Sequence, residues 1–256
     1  MTLGEQIVEA GLRLIDTGVT DGTTGNVSAR RGNEFLITPT SRDYRLLTAE
    51  DLVTVALDTG EWRGRWKPSS EWRLHAEIYR VRPDVNAVIH HHATWCSAVA
   101  AARKTIPVLV DEAAEIGPIS TAAYAPSASP ELAAAAAEVL GRGANAVLLA
   151  NHGAVAVGQS IAEALRRALE IERLAQMFVA ATVLGGAHPL PAEAVERGRQ
   201  FFAGYRAGQH ELVSPLRPAV AIAGDVRLHD LMSYSFRAGI TFVSLLRMLV
   251  LGRLSR

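Results

Sequence analysis

Apolar residues along this chain fall into two periods, one near 3.6 and one near 2, and together they predict helices alternating with short strands. Ile7, Leu12, Leu14 and Ile15 mark one face of an opening helix, with Gly18 as its stop. Turn signals at Gly22 and Gly25 precede two strands, around 26–30 and 35–38, and 52–57 reads as a third that closes on Asp58-Thr59-Gly60. Pro68-Ser69-Ser70-Glu71 has the chemistry of a helix start; the helix then runs from Trp72 to Val81 and ends before Pro83. A buried strand at 85–89 runs into three histidines and a helix at 94–103. The alanine-rich stretch from Pro130 to Leu140 predicts a further helix, 147–150 a short strand entering Asn151-His152-Gly153, and 160–184 a long helix with an apolar stripe.

Length changes this picture little: 256 residues suit one α/β domain over residues 1–208 followed by a tail at 209–256. From His210 onward the tail holds six arginines against three acids, and its most apolar run, 238–251, is broken by Arg247 and shorter than the ~20 residues of a spanning helix. An appended helix, a basic surface helix and an unordered segment are all open readings of it. Lys plus Arg equals Asp plus Glu at 26 each, so no net basic field speaks for nucleic acid. Residues 1–10 lack the basic and apolar runs of a signal peptide, and Cys96 is the only cysteine. A cytoplasmic protein without disulfides or a membrane span is expected.

The candidate chemistry begins at His90-His91-His92. Alternate residues of an extended chain point the same way, so His90 and His92 converge while His91 faces away. His152 also ends a short apolar strand, and three imidazoles leave one position open on a zinc-class ion. Spacing alone leaves a chance surface cluster equally open. Ser69 and Ser70 precede a helix, where unpaired N–H groups suit a phosphate. Glu71 reads either as a first-turn carboxylate facing the helix dipole or as a functional acid, with His75 one turn later as a possible partner. Gly25-Asn26 and Thr38-Pro39-Thr40-Ser41 are polar turns that, joined with Ser69-Ser70, can build an anion nest.

In order along the chain, Gly25-Asn26-Val27-Ser28, Ile37-Thr38-Pro39-Thr40, Lys67-Pro68-Ser69-Ser70-Glu71-Trp72-Arg73, Arg82-Pro83-Asp84, Ala87-Val88-Ile89-His90, His92, Ala123-Tyr124-Ala125 and Asn151-His152-Gly153 resemble the class II aldolase/adducin family. The resemblance covers roughly residues 4–205. It implies a three-layer α/β/α sandwich around a mainly antiparallel sheet and a homotetramer with sites at subunit interfaces. It also implies a zinc-dependent lyase, with Mn2+ or Co2+ as other metals, acting on a small sugar phosphate. His90, His92 and His152 match the metal ligands, and Glu71 the proton-shuttling acid beside them. Gly25, Asn26, Thr40, Ser41, Ser69 and Ser70 fall at phosphate-binding positions, and Tyr205 matches a tyrosine donated to a neighbouring subunit. The implied reaction cleaves a ketose 1-phosphate, such as L-fuculose 1-phosphate, to dihydroxyacetone phosphate and an aldehyde, the metal stabilising the enediolate charge. The carboxyl pKa of Glu71 is expected to be raised when metal is absent or the site is dry.

Two departures widen the expected chemistry. Ser41-Arg42 stands where the family has a glycine after Thr40, and Val110-Asp111-Glu112 puts acids where the fuculose branch has a tyrosine. Asp111 is therefore a second candidate catalytic residue, and a decarboxylase or epimerase of the same family is the alternative. A non-catalytic scaffold like the adducin head is the third reading.

Overall fold

The structure is a computed structural model and describes residues 1–212; the expectations for the tail beyond them lie outside the described residues. Met1–Tyr205 forms one compact unit. Its helices are α1 (Leu3–Asp16), α2 (Trp72–Val81), α3 (Thr94–Ala101), α4 (Pro130–Leu140) and α5 (Ile161–Val183), and α6 (Ala192–Leu212) begins within it. The strands are β1 (Asn26–Arg31), β2 (Glu34–Ile37), β3 (Val53–Ala56), β4 (Trp62–Arg63), β5 (Ala87–His91), β6 (Thr121–Ala122), β7 (Ala146–Leu149) and β8 (Gly153–Gly158). They form one sheet in the order β4-β3-β2-β1-β5-β8-β7-β6, antiparallel at every pairing except β6 with β7.

Side-chain alternation on the central strands divides the core in two. Val27, Ala29, Ala87, Ile89, Ala154 and Ala156 pack with Ile7, Leu14, Val99 and Ile171 from α1, α3 and α5. Val88, Val155 and Val157 point to the other face, against Leu74, Ile78, Leu132 and Leu140 of α2 and α4. The result is the expected α/β/α sandwich on a mostly antiparallel sheet. No helix among the described residues is long and apolar enough to cross a membrane.

Several local expectations shift. The buried stripe of α1 is Ile7, Ala10, Gly11 and Leu14, and Leu12 is exposed. At about 100° per residue Leu12 lies roughly 140° around the helix from Ile7, outside an apolar stripe of that width. β8 has no counterpart in the sequence reading: its Gly-Ala-Val-Ala-Val-Gly stretch is small and buried throughout, so no polar alternation announces it. β7 and β5 do lie in one sheet, with β8 between them. Helix α6 is likewise unannounced by the sequence, since its apolar periodicity is weak.

Ile171 is completely buried on α5 beneath the sheet. Replacing it with alanine is expected to lower the unfolding free energy by about 2–5 kcal/mol, read as an earlier urea midpoint at unchanged slope.

Candidate metal centre and anion cavity

Strand geometry delivers two of the histidines. Val88 faces the α2 layer, so by alternation His90 and His92 do too, while His91 turns towards the α1, α3 and α5 side. His152 arrives from the β7–β8 turn, which Asn151 opens in the left-handed region at φ 57°. Asparagine tolerates that conformation better than most residues. Arg103 donates to Asn151 Oδ1 at 3.2 Å, and Ser97 Oγ donates to the His152 carbonyl at 3.3 Å, holding the turn.

Two glycines allow these pieces to meet. A Cβ on Gly153 would lie 2.4 Å from the His91 carbonyl oxygen and 3.0 Å from the His92 ring, and one on Gly25 would lie 2.4 Å from the His90 carbonyl oxygen. Gly25 also has φ 78°, which L side chains rarely adopt.

His90 Nε2 is 2.8 Å from His92 Nε2, which in turn is 3.1 Å from His152 Nε2. The three rings meet edge to face, with centroids 4.7–4.9 Å apart. His90 Nδ1 donates to the Ala154 carbonyl at 2.9 Å, which fixes its tautomer and leaves Nε2 as a lone pair facing inward. Glu71 supplies the fourth group, with Oε2 2.8 Å from His90 Nε2 and Oε1 3.4 Å from His152 Nε2. All four donor atoms fall within 4.8 Å of one another. Lone pairs held this close repel unless a cation or proton lies among them, and three imidazoles with a carboxylate are a natural donor set for a zinc-class ion. These residues fit a divalent metal.

Glu71 behaves differently from both local expectations. It precedes α2 as its N-cap instead of lying in the first turn, and its carboxylate makes no capping bond, because it turns to the histidines. Burial does push its carboxyl pKa up, but His90, then His152 and the Ser127 hydroxyl, outweigh burial and hold it well below the usual range. The expected upward shift is thus reversed. Burial and the neighbouring imidazoles depress His92 to about 4, and they also lower His152. His75 does not touch Glu71; it bonds Ser28 and Asn26.

Ser127, which nothing in the sequence singled out, donates to Glu71 Oε1 at 3.0 Å. Its one signal was position: it closely follows the Ala123-Tyr124-Ala125 stretch and precedes the α4 cap at Ser129.

Beside the cluster lies a cavity of about 180 Å³, lined among others by Gly25, Asn26, Thr40, Ser41, Arg42, Ser69, Ser70, Glu71, His92 and Ser127. The two polar loops are stitched together by Thr40 N to Lys67 O at 3.2 Å and Ser69 N to Thr38 O at 3.1 Å. Ser41 sits at φ 53°, the region a glycine would occupy without strain. Arg42 lies over the Trp66 ring at 4.1 Å. Asp111 is elsewhere: it opens a 3-10 turn and borders a second cavity with Arg197, Phe201 and Phe202. Tyr205 falls on α6.

This combination of fold and centre has known counterparts. The sequence matches the class II aldolase and adducin N-terminal domain over residues 5–179. It is 36% identical to a 5-methylthioribulose-1-phosphate/5-deoxyribulose-1-phosphate aldolase from Rhodospirillum rubrum, over 80% of this chain and 93% of that protein. An L-fuculose phosphate aldolase from Escherichia coli K12 is 38% identical over 74% of this chain and 87% of its own. A solved L-fuculose 1-phosphate aldolase superposes with a TM-score of 0.75 at 32% identity, covering 78% of this chain and 96% of that one. The protein belongs to the class II aldolase/adducin family. It is a lyase of the metal-dependent class II aldolase type.

Replacing His92 with alanine is expected to abolish tight metal binding, whereas His91→Ala retains it; metal content after dialysis is the measurement, and the opposite result would place the ligands on the other face. Gly153→Ala is expected to lose metal as well, because its methyl would displace the His91 carbonyl and the His92 ring.

Proposed function

We propose that this enzyme cleaves a ketose 1-phosphate to dihydroxyacetone phosphate and an aldehyde, with zinc as the resident ion on His90, His92 and His152. One observation carries the reading: Glu71 and His92 border the same cavity as Asn26, Thr40, Ser69 and Ser70. A substrate anchored there by its phosphate presents its carbonyl end to the metal centre. The relatives support the substrate class, since they are named for phosphorylated ketoses.

When bound, the cation supplies a Lewis acid for the negative charge that carbon–carbon cleavage leaves on substrate oxygen. The other roles belong to the chain. Ser69, Ser70, Thr40 and Asn26 hold the phosphate with hydroxyl and amide donors, and Gly25 and Ser41 complete the rim. Arg42, stacked on Trp66, adds a charged donor. Glu71 moves the proton to and from the substrate carbon, steadied through one oxygen by Ser127. Tyr205, contributed across a subunit interface in a homotetramer, serves the hydroxyl of the departing aldehyde. The proposed compartment is the cytoplasm.

Decarboxylation of an acidic substrate, or epimerisation of a sugar phosphate, is the second reading. Arg42 favours the decarboxylase, because a guanidinium in the cavity suits a carboxylate. Within one chain Asp111 does not line that cavity.

A screen of phosphorylated ketoses against phosphorylated and aromatic acids is expected to give aldehyde release from a ketose 1-phosphate in the zinc-loaded enzyme. Carbon dioxide release from an acid, with no aldehyde from any ketose, would replace the aldolase reading. Glu71→Gln is expected to keep its metal and lose turnover by about 10²–10⁴-fold; a variant with undiminished turnover would remove Glu71 from the proton-transfer role.

A further inference from the structure

Behind the cavity lies a buried polar run of which the proposed reaction uses only Asn26. His75 Nε2 is 2.5 Å from Asn26 Oδ1, His75 Nδ1 is 2.6 Å from Ser28 Oγ, and Ser28 Oγ is 2.7 Å from Tyr79 Oη. Ser28, His75 and Tyr79 are fully buried, and of the four residues only Asn26 borders the cavity. The placement follows from two periodicities. Asn26 and Ser28 share one face of β1, and His75 and Tyr79 are one turn apart on α2.

Each member has a limited set of donors, and that orders the run. Burial pushes His75 down to about 3, so its ring is neutral, with one nitrogen donating and one accepting. Burial also raises the Tyr79 hydroxyl above the usual phenol range, so it keeps its proton. The order that leaves the Asn26 N–H groups to the cavity has Tyr79 donating to Ser28, Ser28 donating to His75 Nδ1, and the N–H on His75 Nε2 donating to Asn26 Oδ1. An amide whose oxygen is engaged inward turns its N–H donors outward. The reversed run would present the Asn26 carbonyl oxygen to the cavity and repel an anion.

We infer that Tyr79, Ser28 and His75 are positioning residues for the anion subsite, holding the Asn26 amide so that its N–H groups face the phosphate of the substrate. The inference rests on the reading of the cavity as a phosphate site. It assigns to this buried run a part of the enzyme's affinity for phosphorylated substrates.

The test is calorimetric binding of inorganic phosphate to the metal-loaded protein, with metal content measured for every variant. Asn26→Ala is expected to weaken binding. Tyr79→Phe, which removes only a hydroxyl, is expected to weaken it about tenfold, the scale of one lost hydrogen bond. In the Asn26→Ala background Tyr79→Phe should cause no further loss. His75→Gln, which retains a donor towards Asn26, is expected to bind phosphate better than His75→Leu, and that pair reads the same coupling should Tyr79→Phe fail to fold. Equal losses from Tyr79→Phe in both backgrounds, or equal binding by the two His75 variants, would overturn the positioning role alone. Undiminished phosphate binding by Asn26→Ala would overturn the phosphate-site reading, and the positioning role with it.

Discussion

Two backbone carbonyls, those of His90 and His91, leave no room for a Cβ at positions 25 and 153, and the chain places glycine at both. Through that close approach β1 and β8 flank β5, and everything chemical in the molecule follows from the register this sets. Asn26 pairs with His90 and Ala154 with His91, so an amide and a metal ligand sit side by side on one face. The β7–β8 turn then swings His152 over the same spot. Ile89 and Ala156, also paired, face the opposite layer, among the apolar side chains of α1, α3 and α5.

The polar face survives burial because nearly every group on it has a partner. An isolated buried carboxylate would take up a proton to shed its charge, yet Glu71 keeps its charge because imidazoles and a hydroxyl surround it. It forgoes capping α2 to do so, a local rule broken at a site where function gains from it. His75 is satisfied on both nitrogens by β1, which ties helix α2 to the strand that carries Asn26. The centre is therefore anchored on β5 and α2: His90 lies on the strand, His92 directly after it and Glu71 directly before the helix, while His152 comes from the β7–β8 turn.

Much of this was legible beforehand, for reasons specific to each residue. His90 and His92 could be paired because a strand's period is 2, and the helix from Trp72 was announced by the Pro-Ser-Ser start. Ser127 was not legible, since an exposed serine in a loop carries no pattern and its contact with Glu71 spans 56 residues of sequence. The His75–Ser28 bond was hidden for the same reason: helical spacing pointed His75 at Glu71, whereas the tertiary packing of α2 against β1 aimed it elsewhere. β8 escaped because a strand buried on both faces has no alternation to detect.

What the sequence determined by itself was chemistry and local form: which residues can bind a cation or an anion, and which stretches are helical or extended. Those properties depend on side-chain type and on periods of a few residues, so they are written in neighbouring letters. Only the tertiary structure decided which of those groups meet, how Glu71 is charged, and that Asp111 borders a different cavity within the chain. Convergence depends on strand order and register across separations of 60 residues or more, as between His92 and His152, and no short-range period encodes that.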